Sequence, residues 1–307
     1  FCNVPVPNVV AFRDVEHTIY ECPLDLRKDK IDRLVSDVLG VESSTPDLSK
    51  WESFVERLIH PEHNVRIAVV GKYIELQDAY KSIYESLTIS GAEHNTKVEV
   101  IKIDAEDLEK TSAKEIIGKV DGILVPGGFG DRGIEGKIIA AQYARENKIP
   151  YFGICLGMQI ATIEYARNVC GLAEANSTEF NKEAAHPVIS LQEEQQGITD
   201  MGASMRLGSC ESIVFPDTKS SEIYDKAETI HERHRHRYEF NPAYREQLEN
   251  AGLVIASVSQ KEGLVEIIEV PDHPFFVAAQ FHPEFKSKPN SPHPIFSSFV
   301  KAALENS

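Results

Sequence analysis

The feature that most constrains the fold is a cysteine held between two glycines, in the heptapeptide Gly153–Gln159 (GICLGMQ). A short apolar run at 149–154 leads into it, and a helical pattern from Met158 to Val169 follows it. A reactive residue at a glycine-flanked strand-to-helix turn forms a nucleophile elbow, because the glycines let the backbone turn sharply and leave the side chain clear of the sheet. The heptapeptide therefore predicts an α/β fold with Cys155 as candidate nucleophile.

Alternating strand and helix patterns from residue 66 onward support this fold class. Apolar strands separated by helical patterns are typical of a parallel sheet covered on both faces, whereas the runs after residue 253 resemble antiparallel strands. We expect an α/β domain with a mostly parallel central sheet flanked by helices. The expected strands are Arg66–Val70, Val98–Ile103, Gly122–Val125, Tyr151–Ile154, Leu253–Val258, Leu264–Val270 and Phe275–Gln280. The expected helices begin at Ala79, near Ala113, at Gly136 and at Met158, and a closing helix spans Ile295–Leu304.

The N-terminal part of the chain differs in character from the rest. It contains a Pro-interrupted, strand-like start (Val4–Phe12), a helical stretch (Arg27–Leu39), a polar segment and a second helical stretch (Leu48–Ile59). Because the chain opens on Phe1 rather than Met, we expect it to be a fragment of a longer polypeptide. The expected boundaries are 1–42 for a tail, 43–64 for a linker and 65–307 for the main domain.

Charge and cysteine content exclude several classes of partner. Acidic residues (48) outnumber Lys and Arg (32), and the formal net charge is −16. Neither nucleic acid nor an anionic membrane is an expected partner, since no basic stripe or tail is present. No apolar run reaches the length of a membrane span, and no signal-peptide pattern opens the chain. The five cysteines, at 2, 22, 155, 170 and 210, show no C-x-x-C spacing, so we expect a reducing, cytoplasmic location.

The candidate nucleophile needs a partner that favours its thiolate. A free thiol, with an ordinary pKa of ~8.5, is mostly protonated near pH 7. The positive end of the following helix and a nearby histidine would both favour ionisation. His282 is the best candidate, because Glu284 lies two residues on and can orient its ring. We predict a Cys155–His282–Glu284 nucleophilic site; the alternatives are a buried structural cysteine and an ordinary His-Pro-Glu turn.

A second glycine-rich turn, Pro126–Gly130 (PGGFG), follows the expected strand at 122–125. Strand ends of a parallel sheet meet at its carboxyl edge, so this turn should lie beside Cys155. Its backbone can approach a ligand closely, because glycine has no Cβ. We predict that the amides of Gly128 and Leu156 form an oxyanion hole.

The run His231–Arg237 (HERHRHR) carries three histidines within six residues. A metal site is unfavourable there, because the neighbouring arginines repel a cation and no Cys or carboxylate cluster completes a ligand set. The alternation of Arg and His predicts an extended strand with one residue type on each face. We expect anion recognition and no metal, with a partly solvated charge run as the alternative.

Several short segments of the chain match known signature sequences. Three of them are Val125–Gly130, Gly153–Gln159 and Phe281–Phe285. The others are Gly71–Tyr73, Asp78–Ser82, Arg132–Lys137, Ala175–Phe180, Met205–Gly208 and Glu232–Glu239. The first set resembles the signatures of the class I glutamine amidotransferases, and the second resembles one family within that class, the CTP synthases. The resemblance covers essentially the whole chain and implies the class I amidotransferase fold, a flavodoxin-like three-layer sandwich.

This resemblance implies that the chain is the glutaminase half of a larger enzyme, with residues 1–42 as the tail end of a synthetase (amidoligase) domain. Cys155 would form a thioester with L-glutamine and release ammonia for the ATP-dependent amination of UTP to CTP in the missing domain. Glutamine would be bound by Gln159, Glu179 and Arg237 together with the oxyanion-hole residues Gly128 and Leu156. The carboxylate of Glu179 suits the ammonium group of glutamine, and the guanidinium of Arg237 suits its carboxylate. The alternative for Glu179 is an exposed cap or loop charge.

The resemblance also implies partners that lie outside this chain. It places ATP and Mg²⁺ in the missing domain and no cofactor here, where no G-x-x-x-x-G-K-[ST] motif occurs. It implies GTP as allosteric activator near Phe129, Arg132, Gly133 and Glu135, although such a loop is also typical of a plain lid. The N-terminal amidoligase domain is the expected partner, within a homotetramer. Two other hypotheses remain, a cysteine hydrolase of the same fold such as a γ-glutamyl peptidase, and a non-catalytic interaction module.

Overall fold

A nine-stranded sheet organises the main domain and sets the position of the site. The computed structural model describes residues 3–42, 44–191 and 205–307. Its strands are β1 His63–Gly71, β2 Thr96–Asp104, β3 Gly122–Val125, β4 Tyr151–Ile154, β5 Ala175–Ser177, β6 His186–Ser190, β7 Arg206–Val214, β8 Thr229–His236, β9 Glu239–Phe240, β10 Val254–Ser259, β11 Val265–Glu269 and β12 Phe276–Ala279. The strand order is β2-β1-β3-β4-β12-β11-β10-β7-β8, and a second sheet has the order β5-β6-β9.

The large sheet has a parallel half and an antiparallel half. Strands β2, β1, β3, β4 and β12 pair in parallel, and β12, β11, β10, β7 and β8 pair antiparallel. Since β12 is the parallel neighbour of β4 and the antiparallel neighbour of β11, it joins the two halves. The carboxyl ends of β3, β4 and β12 therefore lie side by side at one edge of the sheet.

Helices cover both faces of the sheet, which confirms the α/β class. They are α1 Cys22–Lys28, α2 Ile31–Leu39, α3 Ser49–Ile59, α4 Lys81–Glu93, α5 Ala105–Leu108, α6 Ala113–Ile117, α7 Ile134–Glu146, α8 Leu156–Asn168, α9 Lys219–Ile223, α10 Arg245–Asn250 and α11 Pro294–Asn306. Side chains of β1 alternate between two cores, because successive residues of a strand point to opposite faces. Val70 packs with the α7 and α8 side, and Val69 packs with the α4 and α11 side. Within the described residues, no helix is long and apolar enough to cross a membrane.

Two expectations for the N-terminal part were wrong. The segment Val4–Phe12 forms no strand; it contains a short 3-10 turn at Val6–Asn8 and is largely exposed, because prolines at 5 and 7 remove backbone donors that a strand needs. The stretch 27–39 is not one helix, since Lys30 takes a left-handed conformation (φ 54°) between α1 and α2. The helix expected at Leu48–Ile59 is present as α3, which packs against α4.

Candidate active site

Cys155 lies at the turn from β4 into α8, with φ 51° and ψ −100°. This left-handed backbone is strained for a non-glycine residue and is typical of a nucleophile elbow. The flanking glycines are required by close contacts. A Cβ on Gly153 would lie 2.6 Å from the carbonyl oxygen of Gly157, and a Cβ on Gly157 would lie 2.1 Å from that of Val125. The predicted elbow is therefore present, and its glycines leave no room for a side chain.

His282 follows β12 and reaches the site because β12 lies beside β4. Its Nδ1 is 2.8 Å from Oε1 of Glu284, as the sequence indicated. Its backbone N–H donates to the carbonyl oxygen of Arg233 in β8 (2.8 Å). Gly127 packs against both the ring and the nucleophile, because a Cβ there would lie 2.9 Å from Cε1 of His282 and 3.6 Å from Cβ of Cys155. The structure thus brings the three predicted catalytic residues together.

The electrostatics of His282 favour a charged imidazole. Burial lowers its pKa, but the Cys155 sulfur and the Glu284 carboxylate more than offset burial and raise the pKa to about 10. Among the residues that the structure describes, Nε2 of this ring has no hydrogen-bond partner of ordinary geometry, and the thiol is the interacting group on that side. Near neutral pH the arrangement therefore supports an imidazolium form of His282 beside the Cys155 sulfur.

A cavity of about 410 Å³ opens beside the nucleophile, a size within the range of small-molecule sites. Its lining includes four residues predicted to bind substrate, namely Gly128, Gln159, Glu179 and Arg237. The rest of the lining is Phe129, Cys155, Met205, Arg235, His236 and Tyr238. Leu156 is not part of the lining; its side chain packs behind Gly128, with Cδ2 3.4 Å from the position of a Cβ on that glycine.

Glu179 is anchored inside this cavity rather than exposed. Its Oε1 accepts a hydrogen bond from the backbone N–H of Gly130 (2.9 Å), so the glycine-rich turn holds the carboxylate. Burial raises the pKa of Glu179, and this N–H together with Lys72 and Arg237 opposes the rise. The carboxyl group is therefore poised to gain from a cationic ligand.

The strand β8 shows the predicted alternation. Glu232, His234 and His236 are buried, whereas His231, Arg233 and Arg235 are exposed. Nδ1 of His234 is 3.0 Å from Nε2 of His236, and burial is the main cause that lowers the pKa of the two rings to about 2 and about 3. Within the described part of the chain, no group of three or more His, Cys, Asp or Glu residues is arranged to hold a metal ion.

The four residues proposed to contact GTP are not gathered at one place. Phe129 lies at the cavity beside Cys155, where the Arg235 guanidinium is 5.8 Å from the ring centroid of Phe129. Arg132, Gly133 and Glu135 line a separate, shallow depression of about 490 Å³. That depression is rich in carboxylates, from Glu106, Glu109, Asp131 and Glu135. An acidic lining disfavours a polyphosphate.

Two residues of the site were not indicated by the sequence patterns. Tyr238 offers its backbone carbonyl to the Gln159 amide (3.0 Å). Gln280 is fully buried, and its Nε2 lies 3.7 Å from Sγ of Cys155. The signal that could have found Gln280 is its position two residues before His282, on the same strand end.

Residues 75–302 match the family model described as glutamine amidotransferase class-I. CTP synthases of Caldanaerobacter subterraneus subsp. tengcongensis and Trichlorobacter lovleyi are 55% and 52% identical to 99% of the chain. The chain spans only 56% and 57% of these two relatives, a little more than half of their length. A solved structure described as the Trypanosoma brucei CTPS glutaminase domain with bound acivicin is 44% identical, with a TM-score of 0.74. The match covers 79% of this chain and 95% of that one.

Proposed function

The chain belongs to the class I glutamine amidotransferase family, in its CTP synthase branch, and we propose that it hydrolyses the side-chain amide of L-glutamine. The observation that carries this proposal is the His282 ring, held by the Glu284 carboxylate at 2.8 Å and raised in pKa by the Cys155 sulfur. Such a pair supplies both a thiolate nucleophile and a proton for the leaving group.

The residues of the site account for each step of amide hydrolysis. The Cys155 thiolate attacks the carboxamide carbon and a C–S bond forms. His282 then gives its proton to the departing nitrogen, the C–N bond breaks, and ammonia leaves. Water attacks the resulting thioester, His282 takes a proton from it, and glutamate and the thiolate are released. Glu284 stabilises the ring in its cationic form, which exists before the transfer to nitrogen and again after the transfer from water.

Backbone amides supply the stabilisation of the developing oxyanion. Leu156 is the first residue of α8, so its N–H has no acceptor within the helix. Gly128 lines the cavity and lies against the Leu156 side chain. We assign these two N–H groups to the oxyanion hole, where the loss of one donor costs on the order of 10²–10³ in rate.

The cavity offers groups that suit both charged ends of an amino acid. We assign the half-buried Glu179 carboxylate to the ammonium group of the substrate and the Arg237 guanidinium to the carboxylate of the substrate. Gln159, held by the Tyr238 carbonyl, completes the substrate contacts. The anion recognition expected of the Arg-His run is thereby assigned to Arg237, at the end of that run.

The role in a complete enzyme is a wider proposal. We propose that the ammonia serves the ATP-dependent amination of UTP to CTP in an amidoligase domain outside this chain. The relatives named CTP synthase and the 56–57% share of their length that the chain spans support it. GTP activation, ATP and Mg²⁺ in that domain, a homotetramer and a cytoplasmic location remain predictions from the family. So do the boundaries at 42/43 and 64/65.

The test is glutamate release from L-glutamine by the chain and by its Cys155→Ala variant, each with and without GTP. We expect hydrolysis that falls to background in Cys155→Ala and persists in Cys210→Ala, a matched control in β7. Stimulation by GTP would support an activator site in this part of the chain. Preferential cleavage of a γ-glutamyl peptide would favour the peptidase alternative. Absence of both hydrolysis and labelling of Cys155 by a glutamine-like electrophile would favour the non-catalytic module.

A further inference from the structure

Gln280 has a contact that the mechanism above does not use. It follows β12, is 0% exposed, and its carboxamide contacts Cys155 and Gln159, two residues of the cavity lining. Its Nε2 is 3.7 Å from Sγ of Cys155, and its Oε1 is 3.2 Å from Nε2 of Gln159. Its backbone N–H donates to the carbonyl oxygen of Glu266 (2.8 Å), which fixes the base of the side chain.

A backbone carbonyl determines how both amides are oriented. Nε2 of Gln159 lies 3.0 Å from the carbonyl oxygen of Tyr238, and a carbonyl oxygen only accepts hydrogen bonds. The amide nitrogen of Gln159 must therefore point there. The same nitrogen donates to Gln280, so the amide oxygen of Gln280 must be the acceptor. The remaining end of the Gln280 amide, its NH₂ group, is consequently directed at the sulfur.

We propose that Gln280 is a catalytic residue that donates a hydrogen bond to the Cys155 thiolate and links the position of that sulfur, through Gln159, to the substrate cavity. The proposal rests on the assignment of Cys155 as the nucleophile. A buried thiolate has lost its water and needs donors in their place. His282 also interacts with the sulfur, and Glu284 lies behind that ring.

Gln280 differs from His282 in that its donor does not titrate. His282 hands its proton to the leaving nitrogen and recovers one from water, whereas the Gln280 N–H is available in every step. It therefore supports the sulfur both as the attacking thiolate and as the leaving group of the thioester. A purely structural role, bridging β12 and α8, would not affect the reactivity of the sulfur.

The test measures alkylation of Cys155 by iodoacetamide, followed by peptide mapping because other cysteines also react. The variants are Gln280→Met, which keeps the volume and removes the donor, and Gln280→Glu, which replaces the donor with an acceptor. At neutral pH we expect the alkylation rate to fall about tenfold in Gln280→Met, the lower end of what a hydrogen bond to a charged group contributes, and further in Gln280→Glu. The deficit should shrink at alkaline pH, where thiols ionise without help.

The matched control is Gln142→Met, because Gln142 donates to Glu146 on the exposed surface of α7 (2.9 Å). Its alkylation profile should equal that of the unmodified chain. An unchanged neutral-pH rate in folded Gln280→Met, with the fold checked by circular dichroism, would overturn the proposal. If that variant does not fold, Gln280→Asn removes the reach to the sulfur and is judged by the same rate. Alkylation needs no glutamine, so a chain that alkylates normally but releases no glutamate would contradict the proposed function and leave this inference standing.

Discussion

Two groups with buried histidines lie next to each other: the charged cluster of Cys155, His282 and Glu284, and the neutral cluster of His234 and His236. Burial lowers the pKa of the rings in both clusters, yet the resulting pKa values differ in direction. His282 is joined to β8 by a backbone hydrogen bond to Arg233 (2.8 Å), and β8 carries the buried His234 and His236. The pKa of His282 is raised to about 10, whereas those of His234 and His236 are lowered to about 2 and about 3. One ring is thus an acid near neutral pH, and the other two are uncharged.

The difference arises from the neighbours of each ring. His282 faces a thiol and the Glu284 carboxylate, and both favour its cation. His234 and His236 also face carboxyl groups, at 3.4 Å from Glu266 and 3.3 Å from Glu239, but burial raises the pKa of both of these groups. The Arg206 guanidinium opposes protonation of the two rings further. Arg206 itself forms an ion pair with Glu266, in which Nη1 of Arg206 lies 2.5 Å from Oε1 of Glu266. Burial lowers the pKa of all three rings, and the balance of the neighbouring groups decides whether a buried histidine acts as an acid or stays neutral.

The largest expected effect comes from removing the charged ring. His282→Gln should reduce kcat for glutamate release by about 10³-fold or more, because it deletes the proton donor and the partner of the thiolate. Steady-state kinetics on L-glutamine measure it. The comparison variant is His234→Gln, in which we expect kcat to stay within about tenfold. Equal losses in the two variants would show that the distinction between the clusters is wrong.

A smaller loss is expected from Glu284→Gln, which keeps the size of the side chain and removes its charge. The neutral amide no longer supports the cation, so the pKa of His282 should fall below about 10 and kcat should drop by about 10²-fold. The alkaline limb of the pH–rate profile should move to lower pH, because the ring then loses its proton earlier. A lower kcat with an unmoved alkaline limb would mean that Glu284 only positions the ring.

The charged cluster was predictable from sequence, and the neutral one was not. The elbow at Cys155 and the pair His282 and Glu284 each occupy one short segment. Their flanking glycines and their spacing are therefore visible in the local sequence. The neutral cluster depends on Arg206 and Glu266, which lie on β7 and β11 and meet the histidines only through antiparallel pairing. Alternation in the His231–Arg237 run indicated the strand but not which residues would cover its buried face.

The same contrast holds for the fold. Strands β1 to β4 were predicted, because each carries a run of apolar or alternating apolar residues. Strand β12 was predicted too, but among the antiparallel runs, whereas it pairs in parallel with β4 and antiparallel with β11. Strands β5, β6, β7 and β9 were not predicted. They are short, as at Glu239–Phe240, or mix charged and small residues, as in β7, so the apolar pattern is weak. Pro187 within β6 further masks a strand.

The last prediction concerns acid stability, where the two clusters should again differ. His234 stays neutral when folded but is protonated in the unfolded chain below about pH 6.5, so the unfolded state binds the extra proton. The free energy of unfolding should therefore fall as pH drops from about 6.5 toward 3, by about 1.4 kcal/mol per pH unit for each such ring. Glu266, whose pKa burial raises to about 7, acts in the opposite direction, and its Oε2 lies 3.4 Å from Nε2 of His234. Denaturant unfolding of His234→Gln should accordingly show a shallower acid slope than the unmodified chain.

His231→Gln, on the exposed face of the same strand, is the matched control and should leave the slope unchanged, because His231 is solvated in both states. Equal slopes in His234→Gln and the unmodified chain would mean that His234 accepts a proton in the folded state. His236 would then be the only uncharged histidine of the neutral cluster.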